Sequence, residues 1–133
     1  MPRNVDLMGL GLPYALGGAL GNTPVSVTGV GATQGAAATM PGGMHVALFT
    51  AATTTACGMA FATSAPVGTP HYVNMVSTTS VTGSVYCEAS GTMNGTTNGS
   101  VVLTTGKNAI FMKVLATSAG GAGGTWISFP LTP

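Results

Sequence analysis

The sequence has 133 residues, 45% of them hydrophobic and only 4% charged, with a formal net charge of +1. Ordinary globular chains carry about 25% charged residues; here Arg3, Asp6, Glu88, Lys107 and Lys113 are the whole set, and nothing between Asp6 and Glu88 is charged. So sparse a set excludes the clustered Lys and Arg that nucleic-acid binding needs and the polybasic patch that draws a protein to anionic lipid. Polarity rests on Thr, Ser, Asn and Gly instead. That suits a surface covered by other protein better than the mixed charged surface of a free monomer.

The length fits one domain, which divides into residues 1–43, read as an extended Gly/Pro-rich N-terminal arm, and residues 44–133, read as a β-sandwich body. The arm contains "MGLGLPYALGGALGNTP", Met8 to Pro24, which shows almost no apolar/polar alternation. Its apolar part, Leu7 to Leu20, is shorter than the ~20 residues of a spanning helix and is interrupted by Pro13 and by glycines. Arg3, that apolar part and Ala19-Leu20-Gly21 have the outline of a secretory signal, but Asp6 and the helix-breaking composition argue against cleavage. Pro13 can start a helical turn over Tyr14 to Leu20. "VSVTGV" (25–30) can pair as a strand, although neither piece brings a core of its own.

From Met44 the pattern becomes short strands between turn residues. The expected strands are "HVALFT" (45–50), "GMAFAT" (58–63), "YVNMVS" (72–77), "SVYCEA" (84–89), "SVVLTT" (100–105), "NAIFMKVLA" (108–116) and "TWISFPL" (125–131). Such spacing predicts an all-β fold, an antiparallel β-sandwich or jelly-roll-like barrel. In "YVNMVS", Tyr72, Asn74 and Val76 should face one way and Val73, Met75 and Ser77 the other; the weak alternation fits a strand covered on both faces. Asn94-Gly95 and Asn98-Gly99 tolerate positive φ and predict tight turns. "TGKN" around Gly106 reads as a hairpin, and "SAGGAGG" (118–124) as a flexible or tightly packed glycine loop. No repeat of 20 to 50 residues stands out.

Catalytic chemistry is thinly supplied. A carboxylate pair would require Asp6 on the arm to fold back against Glu88. His45 and His71 stand at strand starts and read as polar residues of a sheet edge, while Cys57 and Cys87, in no metal-binding spacing, read as buried free thiols; spacing leaves a Cys-His nucleophile and a Cys57–Cys87 disulfide both open. "GLGLPYALGGALG" is not a dinucleotide fingerprint and "GGAGG" not a phosphate loop. The eight methionines are scattered and read as packing filler, and Trp126 as a core anchor of the last strand. The expectation is therefore no enzyme, no cofactor and no metal.

The order of motifs, "GLGLPYALGGALGNTP", "GVGATQGAA", "HVALFT", "YVNMVS", "MNGTTNGS", "VLTTGKNAIFMKV" and a late "GGTWIS", resembles a group of small virion structural proteins of tailed bacteriophages, those characterised being capsid cement or decoration proteins. The resemblance implies a homotrimer on the outer surface of the capsid of the virion, assembled in the host cytoplasm, whose partner is the major capsid protein. It brings no catalytic motif. The arm would then lie along adjacent capsid subunits or neighbouring copies of itself through Leu10, Leu12, Tyr14, Leu16, Leu20 and Pro24, with proline reducing the entropy lost on docking. A head-fibre or tail component and a secreted β-domain are the competing expectations.

Overall fold

The computed structural model describes residues 24–41, 45–51, 56–76, 81–118 and 122–131. Within them the chain is built from eleven strands in two sheets, with a single 3-10 turn at Gln34–Ala36. The first six strands alternate between the sheets: β1 (Val25–Gly29), β3 (Val46–Ala51) and β5 (Pro70–Met75) join one sheet, β2 (Ala38–Met40), β4 (Cys57–Phe61) and β6 (Thr82–Tyr86) the other.

All neighbouring pairs in this first half are parallel. Val25 pairs with Ala47 and Val46 with Tyr72, so successive turns of the winding take 22 and 26 residues. The second half closes the winding with antiparallel pairs. β9 (Ser100–Thr104) adds to β6, β10 (Asn108–Leu115) to β5, and β11 (Thr125–Pro130) to β10; the short hairpin β7 (Thr92–Met93) and β8 (Thr96–Thr97) joins through a parallel β7/β11 pair. The sheets thus run β1-β3-β5-β10-β11-β7-β8 and β2-β4-β6-β9.

All seven strands expected in the body are present, each within three residues of its expected bounds, but three expectations change. The antiparallel arrangement holds only for the second half, because consecutive strands of the first half lie in opposite sheets and each returns to its own sheet one turn later. For the same reason "TGKN" is no hairpin between paired strands: it carries the chain from β9 in one sheet to β10 in the other, with Gly106 at φ 80°. The stretch before residue 43 also differs from expectation. Val25 to Met40, expected in the arm, hold β1 and β2, and Val27 and Met40 lie in the core. The alternation in "VSVTG" decides this, since Val27 goes inward while Ser26 and Thr28 face out.

Both sheets contribute to one core. Phe61 of β4 stacks on Trp126 of β11, with centroids 4.4 Å apart and planes at 12°, and also meets the rings of Phe111 and His71 at 5.3 Å. Phe49 of β3 fills the space beneath Gly29 and Gly83: a Cβ built on either glycine falls 2.3 Å from the Phe49 ring. Along the inward column Val27, Phe49 and Met75 the residue type changes at every turn. Volume is matched across the two sheets and not repeated along the chain, so the winding leaves no repeat in the sequence.

Candidate interaction face

Three charged residues fall among those described, and two of them neutralise each other inside. Lys113 Nζ lies 2.8 Å from Glu88 Oε2, with both side chains almost fully buried. Thr63 O accepts a second bond from Nζ at 3.1 Å, and Gly124 N–H donates to Glu88 Oε1. Glycine is required around this pair, because a Cβ on Gly124 would fall 2.2 Å from Lys113 Cε and one on Gly123 2.4 Å from Gly91 N. The end of "SAGGAGG" is therefore tightly packed, and the pair ties the start of β11 to β10 and to the chain after β6. Glu88 is engaged here; Asp6, its expected carboxylate partner, lies outside the described residues.

Gln34 holds the 3-10 turn to the same corner, donating from Nε2 to Cys87 O and Glu88 O, each at 2.8 Å, and Tyr86 Oη donates to Ala32 O at 2.7 Å. These contacts bring the turn and the Tyr86 ring over β4, whose five residues are all buried. An open groove of about 360 Å³ runs between Gln34, Thr39, Phe61 and Ala89, with no charged side chain in its lining.

The histidines are not at a sheet edge. β5 is an interior strand, and His71 is buried in the aromatic cluster, 5.4 Å from the His45 ring and 5.7 Å from Trp126. Burial holds the His45 pKa below its ordinary value. Cys57 and Cys87 are free thiols, both buried, and burial raises both pKa values; Cys57 opens β4 and Cys87 directly follows β6, both strands of the opposite sheet from β3, which His45 directly precedes, and β5, which holds His71. Trp126 is fully buried, as are Met40, Met59, Met75 and Met93. No group of three or more potential metal ligands occurs among the described residues, nor any helix long and apolar enough to cross a membrane.

The outer face of the seven-stranded sheet is the unusual surface. With Ala47, Phe49, Val73, Met75, Ala109, Phe111 and Trp126 turned inward, the period of two turns their neighbours out. Register then aligns Val46, Tyr72, Ile110 and Phe129 in one row across four strands. On one side of it lies Pro70, Met112 and Ile127, and on the other Leu48, Asn74 and Asn108, with Leu131 beside Asn108. Apolar side chains dominate these rows and none is charged. Phe129 and Leu131 are nearly half exposed, at 47% and 49%, and Leu48 is 37% exposed. A sheet with one open face ordinarily presents polar residues there, and a contiguous apolar face is a candidate interaction surface.

Of the expected contact residues, Pro24 is exposed and leads directly into β1, at the edge of this sheet. Leu10, Leu12, Tyr14, Leu16 and Leu20 lie outside the described residues. Sequence reasoning named the arm and missed the face, although the unbroken apolar run "AIFM" of β10 and the weak alternation of "YVNMVS" carried its signal. Searches against protein-family models, curated proteins and solved structures find no match to this chain.

Proposed function

We propose that this chain is a non-enzymatic structural protein of a virion, a cement or decoration protein that stabilises a tailed-bacteriophage head by bridging major capsid protein subunits, with a sandwich-like body as its rigid part. The observation that carries the reading is the uncharged apolar outer face formed by Val46, Leu48, Tyr72, Ile110, Met112, Ile127 and Phe129. Such a face is costly in water and gains by burial at roughly 25 cal/mol per Å², and uncharged surface can be buried without stranding an ion. The motif order and the scarcity of charge along the whole chain support the same reading. Its chemistry is burial and hydrogen bonding at protein surfaces, with the buried Glu88–Lys113 pair holding the scaffold beneath the face.

The test is a cryo-electron reconstruction of virions carrying this chain, compared with virions carrying Leu48→Lys and Phe129→Lys together. The proposal expects density on the outside of the capsid, as trimers between capsid subunits, with occupancy reduced at least tenfold by the two lysines. Density only at a tail or fibre vertex, or undiminished occupancy of the double variant, would refute it.

A further inference from the structure

The apolar face needs an occupant, and we infer that it is residues 7–23 of a neighbouring copy of this chain, so that copies are joined by exchanged N-terminal segments. The inference rests on the assembly role proposed above and names the partner of that same face.

Area argues against two copies simply meeting face to face. Four strands at about 4.8 Å and three rows at about 7 Å give a patch of roughly 19 by 20 Å, on the order of 400 Å². Two such patches bury about 800 Å² in total, below the ~1,200 Å² at which stable interfaces begin. A segment of seventeen extended residues, up to about 56 Å long, outruns a patch of this width, so its contact need not stop at the patch edges.

Charge is complementary in the only way open to an uncharged surface. Residues 7–23 contain no charged side chain, whereas Arg3 and Asp6 lie just before them. Leu10, Leu12, Tyr14, Leu16 and Leu20 offer apolar contacts to a row made of Val46, Tyr72, Ile110 and Phe129. Glycines between them let the backbone approach closely.

Reach is sufficient for another copy. The described chain begins at Pro24, at the edge of this sheet. Seventeen extended residues span up to about 56 Å. A compact domain of this length has a radius of gyration of about 14 Å, hence roughly 36 Å across. A segment whose full extension exceeds the width of the domain has the reach to span to the face of a neighbour, and several such exchanges around one oligomer would add avidity.

The experiment replaces Tyr14 with the photocrosslinker p-benzoylphenylalanine in full-length purified protein, co-assembled from equal amounts of ¹⁴N- and ¹⁵N-labelled chains. The inference expects mixed-isotope crosslinks from residue 14 to peptides of β3, β5, β10 or β11, reduced at least tenfold by Phe129→Lys and Leu48→Lys in the receiving chain. Crosslinks that are exclusively same-isotope would mean the segment returns to its own body, and crosslinks to other surfaces or none would mean the face has another occupant; each overturns the inference. Capsid association is scored separately by the reconstruction, so copies that decorate heads without exchanging segments would refute this inference and leave the cement role standing.

Discussion

Breaking the Glu88–Lys113 pair from one side should destabilise the protein far more than removing it whole. Lys113→Met keeps the stem's packing but leaves the Glu88 carboxylate with the Gly124 N–H alone, while Glu88→Gln leaves the ammonium with Thr63 O alone. Both side chains are under 7% exposed, so the surviving charge cannot recover water, and removing one partner of a buried pair costs about 3–5 kcal/mol. The double variant Glu88→Gln/Lys113→Met strands no charge and should lose only about 1–2 kcal/mol, near the net value of the few hydrogen bonds removed. At about 2.1 cal/mol/K per residue, 133 residues lose roughly 0.28 kcal/mol per degree, so each single variant should lower Tm by about 10–18 °C and the double by less than half of that. Denaturant unfolding of the four proteins at pH 7 gives the coupling energy directly. If each single variant falls within about 1 kcal/mol of wild type, or if the two losses simply add, the pair is hydrated and the argument from burial is wrong.

Three further outcomes follow from local geometry. Gly83→Ala should cost about 1–3 kcal/mol by overpacking against Phe49, and Phe49→Leu should relieve part of it; additive losses in urea unfolding would show that the ring is not what excludes the methyl. Asn94 sits at φ 51° and its side chain exchanges two hydrogen bonds with Ser128, at 2.8 and 3.0 Å. Asn94→Ala should therefore lose about 1–3 kcal/mol and Asn94→Gly, which keeps the turn, measurably less; equal losses would mean backbone strain is negligible there. Because burial lowers the His45 pKa in the fold, the unfolded chain binds the proton more readily, so stability held above about pH 6.5 should fall as pH drops below it. His45→Gln should flatten that slope, and an unchanged slope would assign the acid sensitivity elsewhere.

The seven expected strands formed because their signals are local. Val, Ile, Phe and Thr favour a pleated, half-buried surface, and Asn94-Gly95 makes its tight turn through positive φ at both residues. β2 carried too little signal in three residues, "ATM", and is held by its pairing with Met59 to Phe61. Strand direction was not legible either. A strand returning after 22 residues to lie parallel in its own sheet has the same composition as one that turns back in a hairpin. That residues 25–40 belong to the sheets was not legible either, because composition is nearly uniform along this stretch; the inward side chains of Val27 and Met40 decide it.

The sequence by itself determined that this chain is β-structured, almost uncharged and dependent on glycine, since propensity, charge count and turn chemistry belong to residues one at a time or to near neighbours. Tertiary structure alone decided that Glu88 meets Lys113 across 25 positions and that Phe49 lies between Gly29 and Gly83. It also decided that Val46, Tyr72, Ile110 and Phe129 share one row. Those are pairings at long sequence separation, fixed by sheet register and by the volume available between two sheets, quantities that exist only once the chain has wound from one sheet to the other and back.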